Sequence, residues 1–134
     1  MRLVNWQARL VEYLHGARVR PFQFGQHDCS LFAADCVAAM TGNDMAADWR
    51  GRYSTMRGGL RVLRKAGFED HIALAAAHFP EVPPLMAQPG DLAVVPTDDG
   101  QALGVVQGEA VYVLGPHGLG LVSILSASRA FRVI

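Results

Sequence analysis

The chain is short of cysteine, of charge and of long apolar runs, and each shortage closes off a class of protein. Its two cysteines are Cys29 and Cys36. On one helix they would sit about two turns, or ~10 Å, apart at 1.5 Å per residue. That is too far for a disulfide, so a reduced chain is expected. No CxxC or HExxH pattern occurs, so neither a structural zinc site nor a cofactor site is expected. Charged residues make up only 18% of the chain and cancel to a net charge of zero, which argues against a dedicated nucleic-acid binder. No apolar run reaches the ~18–20 residues that span a bilayer. The opening MRLVNWQARLVEYL does not read as a secretory signal, because Asn5, Gln7, Arg9 and Glu12 interrupt any apolar core. Synthesis and folding in a cytoplasm are therefore expected.

What is present suits one α+β domain over residues 1–134. About half the residues, 51%, are apolar, which excludes a disordered chain. A chain of this size buries roughly 65–70% of its unfolded surface. The charges are unevenly spread: residues 1–65 hold ten of the twelve basic and five of the twelve acidic residues, and the remainder holds two and seven. The halves, at about +5 and −5, suit either faces that pack together or head-to-tail docking on a partner.

Apolar residues at helical spacing predict a helix over residues 6–17 with Asn5 as cap, and a second over 28–41 ended by Gly42. The second is so rich in alanine and poor in charge that it should be buried on most sides. A helical turn is expected at 45–49. A helix capped by Ser54 and Thr55 should end at Gly67, and a short alanine-rich helix should cover 70–79. Pro80, Pro83, Pro84 and Pro89 then mark an extended connection. Beyond it, five short runs (92–95, 103–106, 110–114, 119–125 and 130–134) read as strands of an antiparallel meander, with turns at Asp98-Asp99-Gly100 and Gln107-Gly108-Glu109.

The stretch FQFGQHDCSLFAADCV, residues 22–37, carries the most chemistry. It places Cys29 in the first turn of a buried helix. Free backbone N–H groups and the positive end of the helix dipole there favour a thiolate. Asp28 and Ser30 can cap the same helix end, and Asp28 would oppose the thiolate. Cys29 thus stands as either a candidate nucleophile or a small buried apolar residue.

Asp28-Cys29-Ser30 with its apolar helix, followed by Pro89-Gly90-Asp91-Leu92 and a Gly-rich strand pair, resembles the NlpC superfamily of papain-like cell-wall peptidases. The chain is more closely similar to small phage and prophage proteins related to that superfamily. Their pattern matches Phe24-Gly25, His27-Asp28-Cys29, Thr41-Gly42, Arg50-Gly51-Arg52-Tyr53, Gly90-Asp91, Leu103-Gly104, Gly115-Pro116-His117-Gly118-Leu119 and Arg132-Val133. The resemblance implies a papain-like fold, with N-terminal helices on a C-terminal antiparallel sheet of about five strands. It also implies a place among phage tail-tip proteins: made in a bacterial host cytoplasm, then carried in a virion tail or tail-like particle. Peptidases of the superfamily carry their catalytic histidine on the strand after the glycine-aspartate pair. Here that run is Ala102-Leu103-Gly104-Val105, so Ala102 occupies the place of the general base.

Candidate substitute bases are His27, two residues from Cys29, and His117 in the GPHG turn. His15, His71 and His78 read as ordinary helix histidines. Arg50, Arg52, Tyr53 and Arg57 head the densest basic stretch, a candidate partner-binding surface or an internally paired one. Three roles are consistent with these residues. The chain is a tail-tip docking subunit without the catalytic histidine, or a cysteine peptidase or amidase acting on peptidoglycan through Cys29, or an assembly factor that leaves before maturation.

Overall fold

A computed structural model describes all residues, 1–134. The fold is α+β, with four helices preceding a six-stranded antiparallel sheet. The helices are α1 (Trp6–Ala17), α2 (Cys29–Thr41), α3 (Met56–Lys65) and α4 (His71–His78). The strands are β1 (Glu81–Val82), β2 (Leu92–Thr97), β3 (Gly100–Gln107), β4 (Ala110–Gly115), β5 (Gly118–Ser123) and β6 (Arg129–Phe131), in the order β1-β6-β2-β3-β4-β5. No helix is long and apolar enough to cross a membrane.

α2 is the central helix. It lies between α1 and the β3–β4 face of the sheet, and Phe32, Ala33, Cys36, Val37 and Met40 join Leu10, Leu14, Leu92, Val94, Leu103, Val105 and Phe131 in one core. Burial on most sides explains its lack of charge. Gly42 ends it at φ 80°, in the left-handed region that a helix C-terminus needs. A smaller core of Ala93, Val95, Ala102, Val106, Val111 and Val113 covers the sheet's second face.

Three features depart from the sequence reading: Asn5 makes no side-chain cap on α1, and the sheet differs in two respects. The sheet has six strands rather than five, because Glu81 and Val82 pair with Phe131 and Ala130. Prolines on either side conceal this strand, yet they are tolerated because β1 is an edge. The strands also do not run as a simple meander. β6 returns past three strands to pair with β2, Leu92 facing Phe131, after a 3₁₀ turn at Ile124–Ser126 cuts β5 short.

Asp91, at the head of β2, ties the ends of the chain together. Its carboxylate is fully buried. It accepts hydrogen bonds from Arg2 Nη2 at 2.8 Å, Gln88 N at 2.9 Å, Val133 N at 3.2 Å and Arg132 Nε at 3.3 Å. Gly90 before it has φ 90°, and a Cβ there would overlap Arg2 and Trp6. Arg2–Asp91 is the one ion pair joining the basic and acidic halves of the chain. The charge asymmetry is therefore left largely on the surface rather than neutralised between packed faces.

Candidate functional site

Cys29 is the first residue of α2, as its spacing from the apolar positions implies. The residue before it builds the surroundings. The Asp28 side chain is almost completely buried, at 1% exposure. Its Oδ1 caps the helix by accepting from Ser30 N and Leu31 N at 3.0 and 2.8 Å. Its Oδ2 accepts from Gly25 N at 2.8 Å and from the Tyr53 hydroxyl at 2.6 Å. One carboxylate thus fixes the helix end, the 22–28 loop and the 49–53 segment. Gly51 N adds a bond to Gly25 O at 2.8 Å. Gly25 itself, at φ 83°, lies so close to the Tyr53 carbonyl that no side chain would fit.

In front of Cys29 lies a cavity of about 480 Å³ between α2, α3, α4 and the β2–β3 and β4–β5 turns. Ala102 lines it together with Cys29. The position where the family resemblance would place a histidine thus borders the thiol's cavity, but its methyl packs with Val95 in the core on the sheet's second face. Neither proposed substitute lines it. His27 is fully buried, and both its ring nitrogens lack a hydrogen-bond partner. His117 is exposed at the β4–β5 turn, although its neighbours Pro116 and Gly118 face the cavity.

The histidine that does line the cavity is His71, the first residue of α4, whose Nε2 is buried and unpartnered. Sequence spacing grouped it with ordinary helix histidines. The one local signal was its place after Asp70, which caps α4 by accepting from Ala73 N at 2.8 Å. A capped helix start points the first-turn side chain toward whatever faces that end.

Thiolate formation, expected from the helix end, is not favoured. Burial raises the Cys29 pKa above its ordinary value, and the Asp28 carboxylate raises it further. The Ser30 hydroxyl and the N–H groups of Cys29 and Ser30 pull it down, with smaller effect. The carboxylate that caps the helix cancels the advantage the helix end would give the sulfur. Cys36 is fully enclosed and its thiol is pushed up further by burial. With Cys29 partly accessible and Cys36 buried, iodoacetamide should label Cys29 first, yet slower than a free cysteine at neutral pH. Intact-mass kinetics check this. Labelling of Cys29 faster than free cysteine would mean a thiolate that the geometry does not provide.

Residues 1–133 match a family described as a domain of unknown function (DUF6950). The chain belongs to that family. No curated protein matches it. No group of three or more histidine, cysteine or acidic side chains in the structure is placed to hold a metal ion.

The four residues read as a partner surface divide. Arg50 is engaged internally, with Nη2 2.6 Å from Asp35 and paired with Asp44 through Nε at 2.7 Å and Nη2 at 3.0 Å. These bonds hold its charge. Tyr53 is committed to Asp28. Arg52 and Arg57 are exposed. Arg57 continues along α3 into an open groove with Arg61, Arg64 and Lys65, none of which forms an ion pair.

The two buried histidines make stability depend on acid. Burial, the largest cause in each case, lowers the pKa of His27 and of His71 below the ordinary 6.5. As pH falls through that unfolded value, the unfolded chain takes up protons that the folded chain refuses. The contribution is complete above about 6.5 and is lost below it, at up to ~1.4 kcal/mol per pH unit for each ring. Denaturation midpoints should fall between about pH 7.5 and 5.5. A flat profile would show that both rings find proton-stabilising partners.

Proposed function

We propose that the chain is a docking or structural subunit of a phage tail tip, or of the tail of a phage-like particle. In this reading it has a papain-like fold of the NlpC type that has lost its hydrolytic machinery. The observation that supports this best is that β3 brings no histidine to the Cys29 cavity, which it borders with Gln101 and Ala102. An imidazole must take the nucleophile's proton and return it to the leaving amine, and a methyl group does neither. The raised thiol pKa supports the same reading. So does the absence of hydrogen-bond partners at both nitrogens of His27 and at Nε2 of His71, since none of these atoms engages the sulfur. Loss of one member of such a catalytic set typically costs several orders of magnitude in rate. The unpaired cations of α3, with Arg52, offer a surface for an acidic neighbour in the particle.

The test is to incubate purified protein with peptidoglycan and compare released fragments with those from Cys29→Ala. No cysteine-dependent release is expected. Particles carrying Cys29→Ala should assemble and infect normally, whereas Arg52→Glu with Arg57→Glu should impair incorporation. Release that depends on Cys29 would overturn the reading.

One observation favours a second reading, a cysteine hydrolase acting on peptidoglycan peptides. His71 shares the cavity with Cys29 and keeps a free ring nitrogen. As it stands, that nitrogen makes no bond to the sulfur. Fragment release abolished by both Cys29→Ala and His71→Ala would establish that reading.

A further inference from the structure

The charged groups around the Cys29 cavity are all of one sign. Asp28, Asp70, Asp98 and Asp99 line it, and no lysine or arginine does. Asp28 is saturated by four donors, and Asp70 caps α4. Asp98 and Asp99 differ: they sit exposed on the β2–β3 turn and form no ion pair within the fold. The rest of the wall is largely apolar, with Phe22, Phe24, Ile72, Leu60 and Val113 among its residues. His71 lines the same cavity with a buried, unpartnered Nε2, and burial lowers its pKa. The basic groove of α3 lies beyond Met56 and Leu60, which border both spaces.

We propose that this cavity binds a primary ammonium group carried on an apolar stem, the group presented by a lysine side chain or by a chain's amino terminus. The inference rests on the reading of the cavity as a binding site and adds the chemistry of its occupant. An apolar wall receives the stem, and acceptors without cations of their own receive the charge at the mouth. A carboxylate or phosphate would meet the unpaired Asp98 and Asp99 carboxylates, so the same arrangement disfavours anions relative to an ammonium group. Such an occupant would reach the cavity as a residue or end of a neighbouring protein, which agrees with docking.

Amide chemical shifts of ¹⁵N-labelled protein test this with three small probes. Nα-acetyl-lysinamide carries the side-chain ammonium, leucinamide carries the α-ammonium on an apolar body, and N-acetyl-norleucinamide is the neutral comparator. At least one ammonium probe should give saturable shifts at Cys29, Ile72 and Gly115, and bind roughly tenfold more tightly than the neutral one. Which of the two does so identifies the source. Asp98→Asn with Asp99→Asn, changed on an exposed turn, should remove most of that preference while leaving the rest of the spectrum in place. Equal binding of the neutral probe overturns the proposal. So do shifts confined to residues outside the cavity, no saturation by any probe, or an undiminished preference in the double variant. The peptidoglycan assay reads the parent function separately, so failure of one is not failure of the other.

Discussion

Asp91→Ala should destabilise the protein by about 3–5 kcal/mol, the cost of removing one partner from a buried charged cluster. The carboxylate is fully enclosed and answers two guanidinium groups and two backbone N–H groups. Its loss leaves the N–H groups of Gln88 and Val133 without acceptors, and the partly buried Arg2 and Arg132 without their counter-charge. Domains hold only ~5–15 kcal/mol in total, so the variant should be marginal and its urea midpoint far below that of the parent. Asp91→Asn retains one acceptor oxygen and should lose less. A change under about 1 kcal/mol for Asp91→Ala would mean that solvent replaces all four contacts, against the burial described.

Asp28→Ala should cost nearly as much, about 3–4 kcal/mol. A helix cap alone is worth ~0.5–2 kcal/mol. The Gly25 N–H and the Tyr53 hydroxyl would also lose their acceptor, at ~1–3 kcal/mol for each buried orphan. These contributions overlap, which holds the total below their sum. Tyr53→Phe removes only one of the bonds and should cost about 1 kcal/mol. A comparison of the two separates the cap from the loop clamp. Asp28→Ala also removes the charge that raises the Cys29 thiol. In whatever fraction stays folded, Cys29 should therefore alkylate faster at a given pH, and following labelling against pH checks this. Equal labelling curves would show that burial alone holds the thiol protonated.

Much of the helical half could be read from residue types. Asp28, Thr55 and Asp70 each cap the helix that follows by accepting from its backbone N–H groups, and such caps are local chemistry visible in a short window. Gly42 declared its left-handed conformation in the same way. β1 could not be read, because two residues between prolines carry no periodicity and become a strand only when β6 arrives beside them. The return of β6 to β2 is likewise a long-range pairing with no local mark. At the site, the place of Cys29 followed from spacing. The sign of its pKa shift did not, since that depends on where the Asp28 carboxylate turns and how deeply the sulfur is covered. His71 was overlooked for the same reason: its sequence neighbourhood describes α4, whereas its chemistry comes from residues on α2 and the distant turns that share its cavity. Arg50 shows the converse. Its partners Asp35 and Asp44 lie 15 and 6 residues before it, yet a cluster of arginines suggests a free surface more readily than it suggests one internal pairing.

The Asp91 clamp also bears on how the chain is made. Arg2 Nε donates to Val133 O across 131 residues, at 2.9 Å. Closing a loop of nearly the whole chain carries a large entropic cost before any contact repays it. α1 and α2, adjacent in sequence and packed together, can associate before the sheet is made, whereas Arg2 Nε has no acceptor until β6 and Val133 are in place. Arg2 is thus fully secured only after β6 and Val133 have been made, although the helix it precedes can pack before them.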